Sequence, residues 1–379
     1  MVRMGLNEST GNALNDLCLV LPIELQEILE GLGAFYRQLP TTVQQGLDAD
    51  DERNRAYLGT YFPRSFCEAG FLWSELLASL PVRERFQRKT TLRMASLGSG
   101  TGGDVVGALY ALLDEGLRPE RVIIHSFDGN PDALHKQRRI LEALRDRKVF
   151  PFELEFECRP FVWGFDTAAF RGSCAELRRT LPGGYDLVQA SKWLVEFYNR
   201  ARREHGNLET AQGIVREYLQ LAESLVDANG LVALADVTTA DCGQWFPMVI
   251  NRESIDYLNA GGHLKVVSPI PCAMRQGDCP SGRHCYTRRL FAVSSRFCLM
   301  DKSQLCYRVF APMDFAQHIT SRYRDIPYRV NWSRKPVCFR GVRQENASIV
   351  ASGFSAYVRQ PEPVARPKPV NPFLSQRRF

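Results

Sequence analysis

Four glycines within six residues, Gly98, Gly100, Gly102 and Gly103, stand between an apolar run (Leu92, Met94, Ala95, Leu97) and a stretch with helical spacing of Val105, Val106, Leu109 and Leu112. The pattern predicts a strand, a glycine turn and a helix. Glycine takes backbone angles that a side chain forbids, so such a turn brings main-chain N–H groups close to a ligand and aims a helix N-terminus at it. The chemistry implied is the holding of a nucleotide-like group. LGSGTGG (97–103) satisfies G-x-G-x-x-G, the dinucleotide fingerprint, and equally G-x-G-x-G, the loop of enzymes that use S-adenosylmethionine. The turn alone does not choose between them.

Either cofactor needs a carboxylate at the end of the following strand to accept hydrogen bonds from ribose hydroxyls. Asp128, closing RVIIHSFD (121–128), fills that place, with Asn130 close by. It lies 25 residues beyond Gly103, later than the usual dinucleotide interval of about 20. A second group of chemistry-bearing residues is PCAMRQGDCPSGRHCYTRRLF (271–291), where Cys272, Cys279 and Cys285 fall among Pro271, Gly277, Pro280 and Gly282. Thiolates at this density suit zinc or an iron–sulfur cluster, each of which takes four ligands. The spacing is not C-x2-C, so the loop needs a ligand from elsewhere.

The elements that would position these residues alternate from about residue 90. Strands are predicted at 92–97, 121–128, 154–161, 185–194 and 230–237, with 264–270 and 288–297 supplying the last two; helices are predicted at 131–147 and 207–227. Alternation of this kind argues for a mostly parallel sheet covered on both faces. Ahead of it, 18–48 reads as an amphipathic helix broken at Pro40, and 52–80 as a second helical stretch interrupted at Pro63.

The order of elements, with LGSGTGG as the cofactor loop, FDGNPDAL as the ribose segment and YDLVQAS as the fourth strand, resembles a class I S-adenosylmethionine-dependent methyltransferase over roughly residues 90–300. The resemblance implies a Rossmann-like α/β fold with a seven-stranded mostly parallel sheet, an N-terminal helical extension and a cysteine-rich metal-binding insertion. It also implies that Gly98, Ser99, Gly100, Thr101 and Gly102 line the cofactor, that Asp128 and Asn130 lie at its ribose, and that Gln189 and Ala190 face the activated methyl. Gln189, Ser191 and Lys192 become the substrate-side candidates, with Glu196 beyond them. No Asn/Asp-Pro-Pro-aromatic tetrad of nucleobase amino methyltransferases follows the fourth strand.

The cysteine loop, together with AYLGTYFPRSFCEAGFLWSEL and YRDIPYRVNWSRKPVCFRG, resembles the mitochondrial small-ribosomal-subunit methyltransferase-like family, which has bacterial relatives and is associated with an iron–sulfur cluster. The resemblance implies Cys272, Cys279, Cys285 and Cys338 as ligands and RNA or the small ribosomal subunit as partner. Cys298 or Cys306 could replace Cys338, His284 could ligate, and zinc is the alternative metal. Here the third cysteine reads His284-Cys285-Tyr286 where that family commonly has Trp-Cys-His-Phe, and the loop is GSGTGG where it more usually has Gly-x-Gly-Pro-Gly.

Composition sets the remaining bounds. The chain has 379 residues, 45% hydrophobic and 24% charged, as a globular protein does, and its apolar runs are strand-sized. No membrane span is expected, and the acid-rich first thirty residues do not read as a targeting peptide, which makes the cytoplasm the expected location. Eleven cysteines without an export signal argue against a disulfide framework. The net charge of +6 permits nucleic-acid binding without requiring it. The organisation expected is an N-terminal helical region (1–88), a methyltransferase domain (89–300, cysteine loop 271–286), a segment completing the metal site (301–358) and a basic Pro-rich tail (359–379). Competing readings are a methyltransferase for a small molecule or protein, a non-catalytic RNA-binding or ribosome assembly factor and, more distantly, an NAD oxidoreductase.

Overall fold

The computed structural model describes residues 18–37, 47, 49–77, 79–237, 246–269, 272–273 and 289–321. Within them the chain builds one α/β sheet. Its parallel centre consists of β2 (Thr91–Leu97), β3 (Arg121–Asp128), β4 (Glu153–Pro160), β5 (Tyr185–Ser191) and β6 (Val226–Val237), in the order β4-β3-β2-β5-β6. The strand order reverses between β2 and β5. β9 (Asp301–Pro312) joins antiparallel to β6, and β7 (Leu264–Ser268) runs antiparallel along β9. These make seven strands, but the last differs from expectation: the segment expected at 288–297 lies further out on the edge, and the strand antiparallel to β6 is 301–312, where no strand was expected. Two more extend the far edge: β8 (Arg289–Ser294) pairs with β9, and β1 (Cys18–Val20) pairs with β8.

Helices cover the sheet. α4 (Gly103–Asp114) follows β2, α5 (Pro131–Asp146) follows β3, α6 (Thr167–Thr180) follows β4, and α7 (Leu194–His205) with α8 (Ile214–Leu225) connects β5 to β6. α9 (Phe246–Asn259) lies between β6 and β7, and a further helix, Met313–Ser321, follows β9. α5 starts where its sequence dictates: Asn130 accepts from the N–H groups of Asp132 and Ala133, and Pro131 opens the first turn. Among the described residues no helix is long and apolar enough to cross a membrane.

Two N-terminal expectations are corrected. Among the described residues of 18–48 the helix is α1 (Ile23–Gly31): Cys18–Val20 is drawn into the sheet edge, and Gly33, at φ +77°, ends the helical path. The stretch expected to break at Pro63 is instead one helix, α2 (Asp51–Leu77). A proline ring crowds the carbonyl four residues back; that residue is Gly59, where the chain at Phe35 crosses so closely that a Cβ would stand 2.2 Å from the Phe35 carbonyl oxygen. α2 also lies against α4 at backbone distance. A Cβ on Gly103 would come within 2.6 Å of the Phe62 carbonyl oxygen, and one on Gly107 within 2.3 Å of that of Phe66. Burial of Phe62, Phe66, Leu72 and Trp73 along α2 outweighs the lost hydrogen bond. The remaining helix of this region is α3 (Leu80–Gln87). At the other end the sheet runs on to Pro312, past the domain boundary expected at residue 300.

Candidate cofactor site

The glycine turn leaves β2 at its carboxyl end, beside the reversal of strand order, where open α/β sheets form their ligand crevice. The N–H groups of Gly98 and Ser99 both donate to the Phe127 carbonyl, at 2.8 and 3.1 Å, which ties the turn to β3. The glycines divide into two kinds. Gly98 (φ +70°) and Gly102 (φ +83°) are packed: a Cβ on the first would stand 2.1 Å from Trp193 Cγ, and one on the second 2.5 Å from Gln137 Cγ. Gly100 (φ +51°) faces open space, with nothing within 4 Å of where its Cβ would be.

Asp128 is brought directly to this loop. Its Oδ2 accepts from the Gly100 N–H at 2.8 Å and its Oδ1 from the Asn130 N–H at 2.8 Å. Burial pushes its carboxyl above the usual range, opposed by those main-chain donors. Ser99 Oγ donates to Gln137 Oε1 at 2.9 Å, and Gln137 Nε2 donates to Ser126 Oγ at 2.7 Å, so α5 holds the loop in place. Thr101 is buried in the same turn.

Two of the expected cofactor contacts also carry structural bonds. The Asn130 carboxamide oxygen caps α5. Gln189 is 3% exposed; its Oε1 accepts from Trp73 Nε1 at 2.7 Å and its Nε2 donates to Asp104 Oδ2 at 2.8 Å. Asp104 Oδ2 also accepts from Ser96 Oγ at 2.8 Å, and burial pushes the Asp104 carboxyl up to about 6. Gln189 therefore bridges β5 to α2 and α4 beneath the loop. Ala190 is buried, and Ser191 and Lys192 are half-buried at the strand end.

Lys192 has φ +53°, a left-handed conformation unusual for a side-chain-bearing residue, and its N–H donates to the Ala235 carbonyl at 2.8 Å. Its Nζ lies 2.9 Å from Oε2 of Glu68, a fully buried carboxylate on α2 whose other oxygen accepts from Ser303 Oγ on β9. Next to it, Asp236 at the end of β6 accepts from the N–H groups of Val195 (3.1 Å) and Val237 (2.8 Å), and burial pushes its carboxyl up to about 7. Glu196, in the first turn of α7, is held well above the ordinary carboxylate range by burial and then by the charges of Asp128 and Asp236. The site thus unites the expected Gly98–Gly102 loop, Asp128, Lys192 and Glu196 with Glu68, Asp104, Asp236 and Trp193. None of these last four was read from the sequence as a site residue.

The raised Asp236 carboxyl makes a pH-dependent prediction. In the folded protein it keeps its proton up to about pH 7, whereas an unfolded aspartate releases it near pH ~4. Its contribution to stability is therefore complete below the lower value and is lost as pH rises through the upper one. The stability advantage of the wild type over Asp236→Asn is expected to be greatest near pH 4.5 and to shrink by pH 8, read as urea midpoints across that range. A pH-independent difference would show that Asp236 does not titrate there.

Among the described residues no group of three or more His, Cys, Asp or Glu side chains is placed to hold a metal ion. Cys279, Cys285, Cys338 and His284 lie outside the described residues; Cys272, just after β7, is half-buried, and its N–H donates to the Pro269 carbonyl at 2.9 Å. Cys306, the expected alternative ligand, sits in the middle of β9, fully buried, with Sγ donating to the Val237 carbonyl at 3.4 Å. Cys158 and Cys174 are core thiols, pushed up by burial to about 11 and about 12.

No protein-family profile and no curated protein matches the sequence. Solved structures similar in fold include the plantazolicin methyltransferase BpumL in complex with SAH (8% identity, 76% of this chain and 95% of that one, TM-score 0.36). Others are SAM-dependent methyltransferases from Methanosarcina mazei (8% identity, 62% and 97%, TM-score 0.33) and NSun6 from Pyrococcus horikoshii with SFG (11% identity, 63% and 51%, TM-score 0.35).

Proposed function

We propose that the chain is an S-adenosylmethionine-dependent methyltransferase of the class I fold, acting on RNA. The observation that carries the cofactor reading is Gly100. It is an open, left-handed glycine whose N–H is fixed on Asp128, at the carboxyl ends of β2 and β3 and beside the strand-order reversal. The antiparallel β9, inserted between β6 and β7, supports this cofactor over a dinucleotide, whose fold keeps a parallel sixth strand in that place. A space without side chains, a carboxylate for ribose hydroxyls and a buried acidic rim all fit the nucleoside and its sulfonium. When bound, the cofactor supplies an electrophilic methyl group.

The chain's own residues then have distinct tasks. The Gly98–Gly102 backbone and Asp128 hold the nucleoside. Trp193, packed on Gly98, fixes the angle between the loop and α7. Ser191 and Lys192, at the end of β5, stand where an acceptor would be aligned, and alignment at near-attack distance is the main requirement of an in-line methyl transfer. Glu196, held protonated more strongly than an ordinary carboxylate, is placed to exchange a proton with an acceptor N–H or O–H.

The acceptor reading rests on the basic excess and the cysteine-loop resemblance. In it, a four-cysteine centre of Cys272, Cys279, Cys285 and Cys338 has a structural part, pinning the loop after β7. The cofactor reading is tested by calorimetry: S-adenosylhomocysteine is expected to bind the wild type and to lose about tenfold or more in affinity with Asp128→Ala, since hydrogen bonds to a charged group contribute about 1.5–3 kcal/mol. Binding of NADH in place of S-adenosylhomocysteine would overturn it.

A further inference from the structure

The N-terminal half of α2 presents a row of planar side chains along its outer side. Arg53, Tyr57, Tyr61 and Arg64 recur at helical spacing, each half-buried while the residues between them are mostly buried in the core. The two tyrosine rings meet edge to face at 5.1 Å. The Arg53 guanidinium lies over the Tyr57 ring at 5.6 Å, and that of Arg64 over the Tyr61 ring at 5.4 Å. Four planar groups therefore follow one another for about three helical turns. Arg64 is fixed from behind by a two-pronged bond to Asp301 on β9, at 2.6 and 2.8 Å, which keeps its plane oriented.

The row leads into the cofactor crevice. Leu47, just ahead of α2, sits against Gly129, where a Cβ would come within 2.1 Å of it, and Asn54 is 3.5 Å from Asn130. The start of α2 is thus laid over the segment that follows Asp128. Tyr57 lies within the field of Glu196, whose own neighbours are Asp128 on β3, Asp236 on β6, Arg203 on α7 and Arg53 on α2. The burial that keeps protons on Glu196 and Asp236 also disfavours taking a phosphate into the crevice, whereas an uncharged planar ring enters at lower cost, and the arginines lie along the outer row.

We propose that Tyr57 and Tyr61, flanked by Arg53 and Arg64, are a stacking platform for unpaired bases of single-stranded RNA, which delivers one base over Tyr57 toward the carboxyl groups of the crevice. This rests on the RNA reading above and narrows it to unpaired RNA. Aromatic faces accept any base, and guanidinium planes add cation–π stacking and phosphate contact at the rim. A paired helix hides its base faces and has no way onto such a row.

The test uses the full chain and a fluorescently labelled hexaadenylate, with an RNA duplex of the same length as comparison. Wild type is expected to bind the single strand more tightly than the duplex. Tyr57→Ala and Tyr61→Ala are each expected to lose about tenfold or more, the range of base stacking measured by alanine substitution, while Tyr57→Phe and Tyr61→Phe stay within about threefold because the ring face is kept. Affinity for S-adenosylhomocysteine is expected to be the same in all four variants, which also shows that they are folded. Equal binding of duplex and single strand, alanine variants that bind like wild type, or phenylalanine variants as weak as alanine would each overturn the platform. Tight hexaadenylate binding by a protein that does not bind S-adenosylhomocysteine would support the platform and overturn the cofactor reading.

Discussion

Gly98→Ala is expected to unfold the cofactor loop, whereas Gly100→Ala, two residues away, is expected to leave the protein folded and take away its affinity for S-adenosylhomocysteine. Both positions have positive φ (+70° and +51°), where an alanine costs about 1–2 kcal/mol relative to glycine. Their surroundings separate them. At position 98 the new methyl would stand 2.1 Å from Cγ and 2.4 Å from Cδ1 of Trp193. Trp193 cannot retreat, because it is packed against Trp163 at 4.7 Å and Phe197 at 5.3 Å between ring centroids. Overpacking of that kind costs about 1–3 kcal/mol beyond the backbone term, for a total of about 2–5 kcal/mol, seen as a large fall in melting temperature. At position 100 the methyl meets no protein atom within 4 Å, so only the backbone term applies. The same methyl would occupy the space a nucleoside needs, and a loss of about tenfold or more in affinity is expected there, about 1.4 kcal/mol or above. If Gly100→Ala binds S-adenosylhomocysteine as the wild type does, no ligand approaches the loop at that point.

The contrast also shows how far the sequence could be read. The string LGSGTGG announces a turn but not which glycine serves packing and which serves a ligand. That depends on Trp193, 95 residues beyond Gly98, and on Gln137, 35 residues beyond Gly102, and only the tertiary fold brings those side chains to the loop. Of the parallel strands, β2, β3, β5 and β6 were legible as apolar runs near turn residues, and β4 as the alternation of Leu154, Phe156 and Cys158 with charged residues. β9 was not, since Asp301, Lys302 and Arg308 interrupt its pattern. Arg308 is only 3% exposed, and its guanidinium is satisfied internally by Asn251 Oδ1, at 3.1 and 2.7 Å, and by the Tyr307 carbonyl at 2.7 Å.

Asp128 was legible as a strand-end carboxylate, and the structure sets it on the loop. Asn130 and Gln189 carried the same polar, strand-end signal, yet their hydrogen bonds go to the α5 cap and to Trp73 and Asp104. Glu68 gave no signal, and Asp236, a strand-end carboxylate like Asp128, was not singled out. One sits in the middle of an amphipathic-looking helix and the other at the end of an apolar strand, and only tertiary structure shows that both are buried at one crevice.

Lys192→Met is expected to destabilise the protein by about 3–5 kcal/mol, the cost of leaving one member of a buried pair without the other. Glu68 is 1% exposed, the Lys192 side chain is 15% exposed, and Nζ to Oε2 is 2.9 Å. Replacing both, as Lys192→Met with Glu68→Gln, is expected to cost much less than the two single changes added together. A glutamine can still accept from Ser303, and no unpaired charge is left in the core. Urea midpoints of the four proteins give the coupling, expected at about 1.5 kcal/mol or more; additivity within about 0.5 kcal/mol would show that the ion pair does not hold α2 to the sheet. The strain at Lys192 gives the pair its meaning. A lysine in the left-handed region costs about 1–2 kcal/mol that a glycine at this position would avoid, and residues held this way gather at functional sites where the surroundings over-determine them. At Lys192 the surroundings are the Ala235 carbonyl on one side and Glu68 on the other. A glycine there would relax the turn but release α2, and with it the tyrosine row, from the end of β5.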